Sequence, residues 1–273
     1  MAKNKIERFK DILRCVSCHS QLQRCEKKFI CKNCNADYLI VNNKSVVFIT
    51  DEEELNSNKL ERPIFDYGYG QYEAMMLNEH PGEIVIEIGS GINTYKDRMY
   101  ENVILLEIFP YSTTDIVCYA EDLPFNDKSI SGVIGGAVLE HVKDPFYTMK
   151  EIYRVLKPDG HLKIDVPFLY PYHSSPDHYF NMTISGVKEL CKDFNPIEVG
   201  VGAHQLPCFG IHEILTYYFY GISDPKMARK IQKMSVKKFM NFLQGCKNNY
   251  AEDHLNSTTI ENIAAGVFFY GKK

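Results

Sequence analysis

The chain has 273 residues, of which 45% are apolar and 24% charged, with a formal net charge of −4. That composition belongs to a folded globular chain and excludes a disordered or fibrous one. The longest apolar runs, residues 45–49 and 264–270, are too short to cross a bilayer, and the charged start lacks the apolar core of a signal peptide, so a cytoplasmic protein without a membrane segment is expected.

The charge is unevenly spread. Residues 1–50 hold ten Lys/Arg against four Asp/Glu, a net +6 that leaves −10 on the rest. A basic head on an acidic body can serve two ends, contact with an anionic partner such as RNA or docking onto its own body. Both stay open from sequence.

In chain order, residues 1–14 read as a short helix or a frayed end. Cys15-x2-Cys18 and Cys31-x2-Cys34 follow, twelve residues apart. A CxxC turn places two thiolates on one side of a tight knuckle, and two knuckles supply four soft ligands in tetrahedral array. Cys15, Cys18, Cys31 and Cys34 are therefore expected to hold a structural Zn²⁺ in a ribbon over residues 1–50, with β-like runs at 28–31 and 45–49. So small a module folds on its metal. Cys25 lies between the knuckles and is not counted as a ligand. The remaining cysteines are scattered, so no disulfide framework is expected.

Residues 51–62, with Asp51-Glu52-Glu53-Glu54 and Asn56-Ser57-Asn58-Lys59, read as a linker. Residues 63–273 then form the second domain. A helix is predicted within 67–78. Short apolar runs follow at 83–88, 103–108, 115–119, 132–137 and 161–166. Between the last two, Phe146, Met149, Ile152, Tyr153 and Leu156 recur at helical spacing, and Pro158-Asp159-Gly160 ends that helix. Strands alternating with helices give an α/β fold with a mostly parallel sheet and helices on both faces. Runs at 196–201 and 264–270 would complete seven strands. Residues 205–250 are helical in pattern and read as an insertion. Within it Lys226, Arg229, Lys230, Lys233 and Lys237 alternate with Met227, Ile231 and Met234, a pattern that serves either to grip phosphate or as the solvated face of an amphipathic helix.

The run ending at Ile88 leads into Gly89-Ser90-Gly91, where glycine permits a sharp turn and close approach of a ligand. Glu107 ends the next run, twenty residues after Glu87. An acid at that place accepts hydrogen bonds from ribose hydroxyls. A dinucleotide fingerprint would need a third glycine, but Asn93-Thr94 stands there.

Four segments carry a resemblance. Residues 85–91 (Val-Ile-Glu-Ile-Gly-Ser-Gly) resemble motif I of class I S-adenosylmethionine-dependent methyltransferases. Ala120-Glu121-Asp122-Leu123-Pro124-Phe125 is similar to their loop after the third strand. Leu139-Glu140-His141-Val142 resembles the end of their fourth strand, and residues 151–160 (Glu-Ile-Tyr-Arg-Val-Leu-Lys-Pro-Asp-Gly) resemble their helix-to-fifth-strand segment. The order and spacing match over residues 82–200. The resemblance implies a Rossmann-like sheet and S-adenosylmethionine as cofactor. It puts Glu107 on the ribose, Gly89 and Gly91 under the methionine moiety, and Glu121 and Asp122 near the adenine, with Glu87 and Leu123 in the same motifs. Tyr119 departs from the family, many of whose members carry there an Asp that binds the adenine amino group.

The acceptor side is expected at the carboxyl ends of the strands. Glu140-His141 follows the fourth strand, and residues 167–179, dense in His, Tyr, Asp and Pro, follow the fifth. Methyl transfer to a hydroxyl benefits from a general base, a role that suits histidine near neutral pH. His173 is the first candidate and His141 the second, with Asp177 orienting a histidine or a sugar hydroxyl. The segment 171–183 resembles bacterial methyltransferases of glycan and natural-product pathways, which implies a glycan or small-molecule acceptor. Ala137-Val138-Leu139 replaces the Asn/Asp-Pro-Pro-Tyr/Phe motif of amine methylation. An rRNA base methyltransferase using the basic ribbon, and a non-catalytic module whose cofactor pocket has decayed at Tyr119, are the alternatives.

Overall fold

The structure, a computed structural model, describes residues 5–49, 64–66, 68–173, 177–202 and 205–249. It divides into two compact units, Met1–Val166 with Ser185–Asn195, and Pro167–Ile184 with Pro196–Lys273.

The first unit is built on one nine-stranded sheet. In chain order its strands are β1 (Leu22–Arg24), β2 (Lys28–Cys31), β3 (Asp37–Val41), β4 (Ser45–Val47), β6 (Val85–Ile88), β8 (Val103–Glu107), β9 (Ile116–Val117), β10 (Ile130–Gly136) and β11 (Leu156–Asp165). Ile64–Phe65 and Ile92–Asn93, β5 and β7, pair separately. The spatial order is β1-β2-β3-β4-β9-β8-β6-β10-β11. From β4 to β11 every pairing is parallel. This is the expected Rossmann-like sheet. β6, β8 and most of β10 are buried along their length, as strands covered on both faces must be.

The chain leaves β6 toward β8 and β9 on one side, then returns to lay β10 and β11 on the other. That reversal is a topological switch point, and the crevice outside the carboxyl ends of β6 and β10 is where such sheets bind ligands.

The cysteine-bearing head is not a bead beside this sheet. β1 to β4 form an antiparallel ladder, and β4 pairs parallel with β9, Val46 opposite Ile116 and Val47 opposite Val117. Val47, Ile49 and Val117 form one buried cluster. Ile6 and Phe9, on the helix Ile6–Phe9, are fully buried, so this end is anchored. Each such side chain contributes about 1.5–3 kcal/mol on burial. Residues 51–62, read as a linker, lie outside the described residues.

Two further expectations meet the structure differently, and a third lies outside the described residues. The helix Pro145–Val155 is capped by Asp144, whose carboxylate accepts from Tyr147 N at 2.9 Å. It buries Met149 and Ile152 as expected, together with Val155, while Phe146 and Tyr153 point outward and the buried Leu156 is already the first residue of β11. Residues 196–201 are not a strand, and Ile197 is 83% exposed. The run at 264–270 lies outside the described residues.

The second unit carries the helices Pro207–Tyr220, Pro225–Gln232 and Val236–Asn249. Ile231 is buried, while Lys226, Arg229, Lys230, Lys233 and Lys237 face solvent. Among the described residues no helix is long and apolar enough to cross a membrane.

Candidate functional site

The two CxxC knuckles fold alike. His19 N donates to Cys15 O and Asn35 N to Cys31 O, each at 2.9 Å. His19 and Asn35 both take the left-handed conformation, φ 59° and 61°, which closes the turn and brings the thiols together. Cys15, Cys18, Cys31 and Cys34 place their sulfurs within 4.8 Å of one another, a set that could hold a metal ion. Asn33 and Ser20 hydrogen-bond the Cys18 thiol and bring it down to about 5. Ala36 N favours the Cys34 thiolate, but the Cys18, Cys15 and Cys31 thiols outweigh it and push Cys34 up to about 12. Four thiolates this close need a divalent cation to coexist, and an all-sulfur donor set suits a soft, tetrahedral, closed site.

At the switch point Gly89 and Gly91 both have positive φ, 64° and 61°. A Cβ on Gly89 would lie 2.8 Å from Val138 Cγ2, so the loops after β6 and β10 touch there. Ser90 N donates to Leu106 O at 3.1 Å. Gly91 N donates to Glu107 Oε1 at 2.7 Å, and Ile108 N to Glu107 Oε2 at 3.1 Å. The half-buried Glu107 carboxylate is thus fixed by one backbone N–H on each oxygen at the carboxyl end of β8.

Glu87 lies beneath this loop and is buried. Its Oε1 accepts from Lys96 Nζ at 2.7 Å and its Oε2 from Tyr69 OH at 2.6 Å, while Lys96 sits 4.5 Å from the Tyr69 ring centroid. Asn93, standing where a dinucleotide site has its third glycine, caps the helix Thr94–Met99 by accepting from Lys96 N at 3.0 Å. That short helix turns Lys96 inward. Burial, followed by the Glu87 charge, raises the Tyr69 hydroxyl far above its usual range, so it stays a donor. Sequence reasoning missed Lys96 and Tyr69, which neither spacing nor motif marks.

In the loop after β9, Leu123 is fully buried, and its N–H donates to Glu151 Oε2 at 3.3 Å. Glu121 Oε1 accepts from Lys143 N at 3.3 Å. Burial and then the Glu151 charge raise the Asp122 carboxyl. Tyr119 packs against the cluster of Val47, Ile49 and Val117. Its size serves the junction with β4, which gives this departure from the family pattern a packing reason.

After β10 the turn Leu139–His141 carries Glu140 and His141. Glu140 is 1% exposed, and neither carboxylate oxygen finds a hydrogen-bond partner among the described residues. Burial pushes it up to about 7. His141 Nε2 lies 3.9 Å from Glu140 Oε1. The sequence reading placed Glu140 beside His141 on the acceptor side but gave it no role of its own.

The second unit contains His173 and Asp177. His173 Nδ1 is 3.0 Å from Pro171 O, and His173 N donates to His178 Nδ1 at 3.2 Å. His178 Nε2 faces Asn181 Oδ1 at 3.0 Å and Phe180 O at 3.2 Å. A carbonyl can only accept, so neutral His173 carries its proton on Nδ1 and its lone pair on Nε2, while neutral His178 is the opposite tautomer. Burial and then the neighbouring His173 lower His178, which holds it neutral. Asp177 Oδ2 accepts from Tyr179 OH at 2.9 Å. Pro171 and His178, more than Asp177, orient His173.

A sequence-family model described as a methyltransferase domain matches residues 87–164. No curated protein matches the chain. Among solved structures it is similar to Haemonchus contortus phosphoethanolamine N-methyltransferase 2 in complex with S-adenosyl-L-methionine, at 20% identity and TM-score 0.40, over 70% of this chain and 51% of that one. It therefore spans about half the length of that enzyme. It is also similar to an S-adenosylmethionine-dependent methyltransferase from Aquifex aeolicus, at 17% identity and TM-score 0.33, over 46% of this chain and 83% of that one.

Proposed function

We propose that this chain, which carries a class I S-adenosylmethionine-dependent methyltransferase domain, transfers the methyl group to a hydroxyl of a glycan or small-molecule acceptor. S-adenosylmethionine supplies an electrophilic methyl on a sulfonium. In this reading Glu107 accepts the ribose hydroxyls, Gly89 and Gly91 admit the methionine moiety, and residues 121–123 border the adenine. Glu87 supports that floor through Lys96 and Tyr69 instead of contacting the cofactor.

The observation that carries the acceptor chemistry is the fixed tautomer of His173. Its Nε2 lone pair would take the proton of the attacking hydroxyl as the oxygen–methyl bond forms and the carbon–sulfur bond breaks, leaving S-adenosylhomocysteine and a protonated imidazole. His141 is the second candidate base, and Asp177 would hold a sugar hydroxyl together with Tyr179. Zn²⁺ is the metal assigned to Cys15, Cys18, Cys31 and Cys34. Against the rRNA alternative stands the pairing of four of the head's cations, Lys5, Arg8, Arg14 and Lys44, with acids of the body.

The test follows a labelled methyl group from the cofactor into a host extract divided into RNA, glycan-lipid, protein and small-molecule pools. Label in the glycan-lipid or small-molecule pool, lost in His173→Ala with cofactor binding intact, is the expected result. Label in the RNA pool would overturn the acceptor class.

A further inference from the structure

The loop at 120–127 is held from two sides. From within the α/β body, Arg154 donates to Leu123 O at 2.9 Å, Phe125 O at 2.7 Å and Asp127 Oδ1 at 2.9 Å. From the head, Leu13 and Phe125 form an antiparallel bridge. Arg14 N donates to Pro124 O at 3.0 Å, and Asn126 N to Ile12 O at 2.8 Å.

The Arg14 side chain then passes under the loop. Its Nη1 is 3.3 Å from Asp127 Oδ1 and its Nη2 3.8 Å from Glu151 Oε2. Glu151 Oε2 also receives Leu123 N. Arg14 is 9% exposed, and its Nε finds no acceptor among the described residues. Burying a guanidinium with an unmet donor is costly, and an apolar side chain of like size often serves stability better. Mere packing is a poor account of an arginine here.

Its neighbours supply a better one. Cys15 follows Arg14 and is one of the four clustered thiols. Cys15 N donates to Ser20 O, and Arg14 bridges Gln21. The backbone fixed by the first knuckle is therefore the backbone that grips the loop.

We propose that Arg14 is a positioning residue for the cofactor: anchored by the metal knuckle, it fixes the loop at 120–127 in the shape that receives the adenosine. The head thereby acts inside its own chain as a brace for cofactor binding. This rests on the reading that residues 121–123 border the adenine.

The test compares Arg14→Met, which keeps most of the apolar stem, and Arg14→Lys with the full wild-type chain. Hydrogen exchange at the amides of residues 123, 125 and 126, metal content and calorimetric affinity for S-adenosylmethionine are measured. Arg14→Met is expected to speed exchange at those amides and to weaken the cofactor about tenfold, the scale of one charge-assisted hydrogen bond, with metal content unchanged. Arg14→Lys, which returns a cation to Asp127 and Glu151, should regain part of that affinity. Unchanged exchange, unchanged affinity or no regain in Arg14→Lys each overturns the proposal. Glu107→Ala separates the two levels. If it weakens the cofactor while Arg14→Met does not, the brace falls and the cofactor site stands. If neither variant has an effect, the cofactor site falls and takes the brace with it.

Discussion

Gly89→Ala tests the contact at the switch point most directly. Gly89 has φ +64°, and a Cβ placed there lies 2.8 Å from Val138 Cγ2 and 3.0 Å from Val138 Cβ. Two penalties add. A left-handed conformation costs an alanine about 1–2 kcal/mol, and forcing an extra carbon into a packed contact costs about 1–3 kcal/mol. Gly89→Ala should therefore lose about 2–5 kcal/mol in urea unfolding, a large share of a domain's total. Val138→Ala removes the nearer methyl and leaves its own Cβ at 3.0 Å. The double variant should thus recover about 1 kcal/mol relative to the sum of the singles, and the φ cost should persist. Urea titrations of the four proteins, read by circular dichroism, give the cycle, and calorimetry reports whether the displaced loop still binds S-adenosylmethionine. A Gly89→Ala protein within 0.5 kcal/mol of wild type, the roughly ±0.5 kcal/mol range of neutral surface changes, or strictly additive effects, would refute the geometry.

Three further outcomes follow from the same unit. Lys96→Met leaves the Glu87 carboxylate, 7% exposed, with Tyr69 alone and should cost about 3–5 kcal/mol; adding Glu87→Gln should restore part of it, and a double variant worse than Lys96→Met would contradict the pairing. Burial raises Glu140 from 4.5 to about 7. The folded protein then holds a proton that the unfolded chain has lost, so stability should fall as pH rises from about 4.5 to about 7 and level off above, by an amount on the order of 3 kcal/mol. Glu140→Gln should flatten that slope and gain stability at pH 8, and a slope identical in both proteins would exclude Glu140 as its source. Chelation of the metal should lower the unfolding midpoint of the whole first unit in one transition, because β4 and β9 share a ladder; two separate transitions would mean that the head folds alone.

What the sequence made legible follows periodicity and turn chemistry. The parallel strands were found because each is a short apolar run bounded by turn residues, and the helix at 145–155 because its apolar residues recur at helical spacing; it ends at Val155, and residues 158–160, expected to stop it, lie inside β11. Phe146 and Tyr153 were counted on the helix's buried face because they are large enough to imitate core residues. Residues 196–201 alternate in the manner of a strand, yet a strand also needs a neighbour with free N–H and C=O groups, which no local pattern records. β1 and β3 escaped notice because short strands of a metal knuckle need little apolar character of their own. Gly89, Gly91 and Glu107 stand out in sequence because glycine suits a turn with positive φ and an acid at a strand end can accept hydrogen bonds. Lys96, Tyr69 and Arg14 do not, because their roles arise from contacts across 9, 18 and 113 positions of sequence.

The charge asymmetry has its resolution in such long-range contacts. Lys5 reaches Asp115 and Asp97, Arg8 reaches Glu101, Lys44 reaches Asp97, and Arg14 reaches Asp127 and Glu151. A footprint for a phosphate backbone would hold its cations in solvent, yet Lys5 and Arg14 are largely buried, and Asp115 is fully buried. Burial raises the Asp115 carboxyl, while Lys5, the Leu105 N–H and Lys44 draw it back down, so the head's cations help keep a core acid charged. The exposed pair of the set, Arg8–Glu101, adds little stability. Four of the head's cations and the acids they meet on the body thus form one internal set of ion pairs, while Lys27 and Lys32 stay exposed.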